Sequence, residues 1–520
     1  MITMTSALVR TEKLFGERIA IVDIEKKFTW QEHIKRISMI AGALLQIGIK
    51  KGDRFGIIGP NSFRYQELIY AGYWYGAIPV PINHRLAAPE ILHILNDANI
   101  KYIALGEEHL NLTDNALLAP WSNRRIVISK NSNVKNVLVY EDILMAATPI
   151  AAQEPDENDL AILLYTGGTT GRSKGVELTH RNVYSNGYQV GNALSITKED
   201  IYLHVAPMFH AADLMGTGYT INGSAHAFVP IFSPKAALSA IENYRVTQAM
   251  MAPTMIIMIL EEPTFSNYNL SSFRTLFYGS SPMAAEWVQK SINQFASTGI
   301  QQGYGLTETS PILTTLDPDD HALAISTGNL DILRSAGRPV IGVDLKILNE
   351  KGQEQPTGEA GEVCVRGPNV TKGYLNRSDE NKKSFKNGWF HTGDIGRIDD
   401  NGLMFLMDRK KDMVVSGGEN IYTSEVEAAL YTHPDVHECA VIGIPDRTYG
   451  ESLFAVIVPR TGGNLDENII IEHCRDLIAG YKIPRKMDFV PELPKSAMAK
   501  ILKNKLREDY SKQVKDKIRS

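Results

Sequence analysis

Short apolar runs that alternate with segments of helical periodicity constrain this chain more than any other feature. Arg54–Ile58 and Ile78–Ile82 have the length of buried strands, whereas Ile34–Ile47 and Pro89–Leu95 repeat apolar residues at helical spacing. Strands alternating with helices imply parallel pairing, since a parallel neighbour is reached through a crossover long enough to hold a helix. A second region of this kind runs from Ala161 to about Leu313, with strand candidates at Ala161–Tyr165, Ala225–Pro230 and Thr275–Tyr278. The pattern predicts an α/β fold with two βαβ-type subdomains.

After Gly337 the texture changes. Strand candidates at Leu345–Leu348, Glu362–Arg366 and Leu403–Leu406 are punctuated by Gly342, Gly352, Gly358, Gly361, Gly367 and Gly402, which predicts β-hairpins or a small β-barrel. From Met413 the chain reads as a compact α+β unit. Its helices are expected at Ser424–Tyr431, Asp466–Ala479 and Ile501–Asp509, and its strands at Glu438–Gly443 and Leu453–Val458. The polar run Asp408-Arg-Lys-Lys-Asp412 suits a connection between domains. The expected division is a large N-terminal domain, 1–410, followed by a small mobile C-terminal domain, 411–520.

Charge excludes some partners. A net charge of -5 gives no overall basic field to collect a phosphate backbone, so nucleic acid is not expected as a partner. Cys364, Cys439 and Cys474 are too few and too scattered for a disulfide framework, which favours a reducing compartment. Arg10, Glu12 and Lys13 stand where a secretory apolar region would lie, and the most apolar stretch, Ala249–Leu260, is too short to span a bilayer. A cytoplasmic protein without a transmembrane segment is expected. Peripheral membrane contact and homodimer formation are left open.

The run Thr166-Gly-Gly-Thr-Thr-Gly-Arg-Ser-Lys-Gly175 follows the apolar stretch Ala161–Tyr165, so a strand delivers a loop dense in glycine, hydroxyl and cationic groups. Glycines let backbone N–H groups converge on an anion, hydroxyls donate to its oxygens, and a lysine adds a point charge. The loop lacks the Gly-Lys-Ser/Thr ending of the common nucleotide-hydrolase loop. By composition alone it reads equally well as a polar turn.

Further stretches make the reading specific. In order they are Ala206-Pro-Met-Phe-His210, Gly303-Tyr-Gly-Leu-Thr-Glu308, Gly388-Trp-Phe-His-Thr-Gly-Asp394, Asp408–Asp412 with Gly417-Gly-Glu-Asn420, and Pro494-Lys-Ser-Ala-Met-Ala-Lys500. Across nearly the whole chain this set resembles the adenylate-forming superfamily, which comprises acyl-CoA synthetases, adenylation domains of peptide synthetases and beetle luciferases.

The resemblance implies ATP, Mg²⁺ and coenzyme A as cofactors and a carboxylic acid as substrate. Thr166, Gly167, Gly168, Thr169, Thr170, Gly171, Ser173 and Lys174 would hold the β and γ phosphates. Glu308, after Thr307, would anchor Mg²⁺, which favours one or two carboxylates beside phosphate oxygens. Tyr304 with Gly305, and the loop Gly279, Ser280 and Ser281, would lie beside adenine. Asp394 would accept from the ribose hydroxyls and Arg409 would donate to sugar or phosphate. His210 would line the acyl-carboxylate site, although a lone histidine also reads as a satisfied core residue.

Lys500 would bridge the carboxylate and the α-phosphate during adenylation. Lys411 would be the hinge of an alternating C-terminal domain, and Gly417 and Gly418 would lie near the pantetheine path. The chain departs from the pattern at Ser173, Ala499 and Thr423, where proline, glycine and proline are common, and none of these removes a charged group. The expected activity is an AMP-forming acid–thiol ligase. The segment His210–Gly223, without lysine or arginine, is read as a pocket wall for a fatty acid or other apolar monocarboxylate. A stand-alone ligase loading a carrier protein and an aryl-acid ligase are the alternatives.

Overall fold

The structure is a computed structural model that describes the chain except for residues 1, 25, 116, 131–136, 167–172, 282, 417–418, 447–448, 461–462, 464, 476, 496–500 and 520. The chain divides into two compact units, Met1–Leu345 with Val365–Phe390, and Lys346–Cys364 with His391–Ser520. No described helix is long and apolar enough to cross a membrane.

The first unit is built on two large sheets. One orders its strands Ile78–Pro81, Arg54–Ile58, Tyr102–Gly106, Arg125–Ile128 and Leu138–Val139, all parallel. The other has nine strands. Its centre is a parallel run of Gly299–Gly305, Thr275–Gly279, Gln248–Met251, Ile201–His204, Ala225–Phe228 and Ile19–Val22, flanked by antiparallel strands Lys27–Thr29 on one side and Ile312–Leu316 then Arg338–Pro339 on the other. Buried parallel strands are apolar without alternation, and Ala225–Phe228, Gln248–Met251 and Thr275–Gly279 are buried at every position.

Local sequence sets the helices between them. Trp30–Gln46 begins with a capping box, in which Thr29 and Glu32 satisfy each other's backbone donors. Phe63–Tyr75 is buried on all sides and stops at Gly76, whose φ of +83° suits a residue without a Cβ.

One strand assignment needs correction. Ala161–Tyr165 does lie in a strand, Leu160–Thr166, but this strand pairs antiparallel with Lys174–Thr179 in a separate two-stranded sheet. The connection between them is too short for a crossover helix, so only a hairpin is geometrically open to it.

The small β region expected after Val340 is a five-stranded half-barrel sheet of Asp344–Leu348, Gly361–Arg366, Trp389–Ile398, Phe385–Lys386 and Met404–Arg409. In the second unit, Val436–Asp446 and Gly450–Pro459 pair antiparallel, and Lys486–Phe489 adds to the latter in parallel. Val426 and Leu430 of helix Thr423–Tyr431 and Ile470 and Cys474 of helix Glu467–Arg475 cover one face of that sheet. The second of these helices ends at Arg475 rather than Ala479, and the last helix runs from Lys503 to Arg519, beyond the expected Asp509.

A buried ion cluster ties helices of the first unit. Glu67, fully buried, takes Arg36 Nε at 2.7 Å and the Tyr140 hydroxyl at 2.7 Å, with His33 Nδ1 at 3.3 Å. Burial pushes the Glu67 carboxyl up, but His33 and Arg36 together hold it below the usual carboxylate range. Its contribution is therefore complete at neutral pH and is lost as pH falls through its folded value. Arg36→Met leaves this carboxylate without its cation, and urea unfolding at pH 7 is expected to show a loss of about 3–5 kcal/mol.

Candidate active site

The parallel strands Thr275–Gly279 and Gly299–Gly305 end side by side, with Gly279 opposite Gly303. A crevice outside the carboxyl ends of such strands is where open α/β sheets bind ligands. Close backbone approach explains the glycines: a Cβ on Gly279 would lie 2.5 Å from the Gly303 carbonyl oxygen, and one on Gly305 only 1.8 Å from that of Pro311. Ser280 has a φ of +70°, which turns the chain sharply away from the strand end. Gly279, Ser280, Ser281, Tyr304 and Gly305 thus converge on one edge, and Tyr304 is 9% exposed.

Thr307 and Glu308 follow on a short 3₁₀ turn, Thr307–Thr309. Asn369 clamps that turn by donating to the carbonyls of Thr309 at 2.8 Å and Ile312 at 3.0 Å. The Glu308 side chain is buried and accepts from the Tyr374 hydroxyl at 2.8 Å. Burial, with the Glu308 charge beside it, pushes the Tyr374 phenol up, so it stays protonated and donates. Lys174 lies 5.6 Å from the centre of the same ring and pairs with Glu380. The lysine of the predicted phosphate loop and the predicted metal-binding acid therefore meet around one tyrosine.

The register of the hairpin places Thr166 opposite Lys174. The carbonyl of Ser173 accepts from His93 Nε2 at 3.0 Å, which fixes one stem of the loop. Gly167, Gly168, Thr169, Thr170 and Gly171 lie outside the described residues, as do Gly417, Gly418 and Lys500.

His210 follows strand Ile201–His204 and caps the 3₁₀ turn Ala211–Met215, its Nδ1 accepting from the Ala212 N–H at 3.2 Å. The turn is anchored beneath: Asp213 Oδ1 lies 2.6 Å from His204 Nδ1, and His204 Nε2 lies 2.9 Å from His226 Nδ1. Burial, with His204 next to it, holds His226 well below the ordinary histidine range, so it is neutral at pH 7.

The following helix, Gly216–Asn222, is buried from Gly216 to Ile221. A Cβ on Gly218 would lie 2.8 Å from the Gly187 carbonyl oxygen, and Tyr219 is core, stacked on Tyr202 at 4.4 Å and bonded to Gln248 at 2.7 Å. These small residues serve close packing against helix His180–Ala193.

Within the second unit, Asp394 stands opposite Arg409 on adjacent antiparallel strands. Arg409 Nε reaches Asp394 Oδ1 at 2.6 Å, with Asp394 5% exposed. The Lys410 N–H donates to the Gly393 carbonyl at 2.9 Å, leaving the Lys411 side chain at the surface. Glu362, two strands from Arg409, meets both His391 Nδ1 at 3.1 Å and Lys410 Nζ at 3.3 Å.

Sequence reasoning missed Tyr374, Glu380 and Asn369. Tyr374 is 66 residues from Glu308 and Glu380 is 206 from Lys174, so no local spacing could signal either contact.

Residues 8–375 match the AMP-binding enzyme family and residues 425–500 match the AMP-binding enzyme C-terminal domain. The chain belongs to the AMP-binding enzyme family. It is 35% identical over 504 residues to a feruloyl-CoA synthase from Amycolatopsis sp, covering 96% of this chain and 98% of that protein. It is 35% identical over 479 residues to a long-chain-fatty-acid–CoA ligase from Mycobacterium tuberculosis, covering 91% of each.

Its fold matches o-succinylbenzoate CoA synthetase from Bacillus subtilis in complex with the acyl-adenylate intermediate. The TM-score is 0.84 at 30% identity, over 96% of this chain and 97% of the other. A complex of the same enzyme with ATP and magnesium ion matches with a TM-score of 0.82 at 29% identity, over 96% and 98%.

Tyr374→Phe removes the hydroxyl that donates to Glu308 Oε1. Urea unfolding is expected to show about 1–3 kcal/mol less stability than the parent.

Proposed function

We propose that this chain is an ATP-dependent, AMP-forming ligase that joins a carboxylic acid to coenzyme A. The observation that carries this reading is the meeting of Lys174, at the end of the phosphate loop, with Glu308 around Tyr374. Relatives named as feruloyl-CoA synthase and long-chain-fatty-acid–CoA ligase support it, since each aligns over more than nine-tenths of the chain.

In the first half-reaction a carboxylate oxygen attacks the α-phosphorus of ATP, the bond to the bridging oxygen breaks, and pyrophosphate leaves. In the second, the thiol sulfur attacks the acyl carbonyl carbon, its proton passes to solvent, and AMP leaves. Two anions meet in the first step, so negative charge must be offset before they can react.

Lys174 and the hydroxyls flanking it hold the departing phosphates. Glu308 is a hard oxygen ligand of the kind Mg²⁺ takes, and Tyr374 orients it by occupying one of its oxygens. Bound there, Mg²⁺ neutralises phosphate charge. Tyr304 with Gly279, Ser280, Ser281 and Gly305 receives adenine, Asp394 and Arg409 receive ribose, and His210 borders the carboxylate.

Lys500 bridges carboxylate and α-phosphate as the transition-state charge develops. The functional domains are taken as 1–410 and 411–520, with Lys411 as hinge, in keeping with separate family matches at 8–375 and 425–500. The acid is a medium- or long-chain fatty acid or another apolar monocarboxylate. An aryl acid is the second reading, favoured by the 35% identity to a feruloyl-CoA synthase.

Lys500→Ala is expected to slow acid-dependent exchange of labelled pyrophosphate into ATP by about 10²–10³-fold. Unchanged exchange would refute the assigned role. AMP release with coenzyme A, measured over acids from acetate to oleate with benzoate and coumarate, is expected to peak at C8 to C18 acids. A peak at coumarate replaces the fatty acid with an aryl acid, and transfer only to a carrier protein replaces coenzyme A.

A further inference from the structure

We infer that Glu362, Cys364 and His391 form a binding site for one zinc ion, separate from the Mg²⁺ site proposed at Glu308 and from the residues assigned to ATP.

The motif Gly388–Asp394 contributes Asp394 to the proposed function and leaves His391 without a part in it. His391 stands on strand Trp389–Ile398, and Glu362 and Cys364 stand on the neighbouring strand Gly361–Arg366. Two residues apart, Glu362 and Cys364 project to one face of their strand. His391 Nδ1 lies 3.1 Å from Glu362 Oε2 and 3.3 Å from Cys364 Sγ, and one ligand atom of each residue lies within 4.8 Å of the other two. Among the described residues no other three His, Cys, Asp or Glu side chains bring one such atom each this close together.

The spacing is that of a metal's coordination shell. Tetrahedral Zn²⁺ binds thiolate sulfur at about 2.3 Å and imidazole nitrogen or carboxylate oxygen at about 2.0–2.2 Å, which sets its ligand atoms about 3.3–3.6 Å apart. Both separations from Nδ1 are already close to that. A single nitrogen carries at most one hydrogen, so Nδ1 cannot donate fully to both the carboxylate and the sulfur, whereas a cation between the three serves all of them. One thiolate and one imidazole select a softer ion than Mg²⁺, and three protein ligands leave a fourth position for water.

The frame is set before the ion arrives. The Thr392 hydroxyl donates to the Val363 carbonyl at 2.8 Å, which ties the two strands between their ligands. Cys364 is fully buried, while the Glu362 and His391 side chains are 16% and 15% exposed, so an ion enters past the carboxylate and the ring. Lys410 Nζ, 3.3 Å from Glu362 Oε2, opposes a cation here, but this lysine is half exposed and a doubly charged ion displaces it to solvent. On binding, the Cys364 thiol gives its proton to solvent, and the neutral His391 ring keeps its hydrogen on Nε2 and coordinates through Nδ1.

The test equilibrates untagged, nucleotide-free, full-length protein with Zn²⁺ in excess Mg²⁺, which fills hard oxygen sites such as Glu308 and competes poorly for a thiolate. After gel filtration, metal analysis is expected to find one Zn²⁺ per chain. X-ray absorption fine structure should show one sulfur at about 2.3 Å with nitrogen and oxygen neighbours at about 2.0–2.2 Å. In competition with a chromophoric chelator, Cys364→Ser and His391→Gln should each weaken binding by at least about 100-fold, and Glu362→Gln by about 10–100-fold. His391 and Glu362 are partly exposed, so their variants serve where Cys364→Ser does not fold.

A parent protein that retains no Zn²⁺, a shell with no sulfur or with more than one, or folded His391→Gln and Glu362→Gln variants that bind as tightly as the parent overturns the inference. None of these readouts uses the ligase reaction, so the site stands or falls independently of it.

Discussion

The hydrogen bond from the Tyr374 hydroxyl to Glu308 is the contact on which the first unit's site depends. It joins three segments that are distant in the chain, because the same ring lies beside Lys174 while Glu308 follows the turn at the end of strand Gly299–Gly305. Tyr374 itself is fixed by its own backbone: its N–H donates to Asn381 Oδ1 at 2.7 Å, and Val176 pairs with it across a bridge. A cation and a carboxylate are thereby held near each other without neutralising each other directly, since Lys174 is paired with Glu380 instead.

Close backbone packing sets the other half of the geometry. At the carboxyl edge of the nine-stranded sheet, Gly279, Gly303 and Gly305 let neighbouring strands and the Pro311 turn approach to distances that a Cβ would forbid. A ring such as that of Tyr304 then comes from a rigid strand rather than a free loop. In the second unit the same rigidity comes from the cross-strand pair Asp394–Arg409, in which a nearly buried carboxylate is oriented by a guanidinium on the facing strand.

Much of the fold could be read from residue order, and the reasons for the exceptions are physical. Ile34–Ile47 and Pro89–Leu95 showed their helical period, and the structure has helices Trp30–Gln46 and Ala88–Asp97 there. Leu160–Thr166 was legible as a strand, but periodicity identifies a strand without identifying its partner, and the connection length was the overlooked signal. The final helix continues to Arg519 through Lys512, Lys515 and Lys517, where too few apolar residues mark a face. Of the motif residues, the structure brings Lys174 and Glu308 together around Tyr374 in the first unit and pairs Asp394 with Arg409 in the second. Tyr374, Glu380 and Asn369 carry no local mark, since each acts through a contact made only after the chain has folded.

The antiparallel register of Thr166 with Lys174 has an implication for how this region can vary. Residues directly opposite in such a ladder project to the same face, so both stems of the loop present their side chains on one side of the hairpin. Inserting or deleting a single residue in either strand reverses the alternation and turns Lys174 to the side away from Tyr374. Length variation in either strand is therefore excluded, which makes the two strands a fixed ruler for the positions of Thr166 and Lys174.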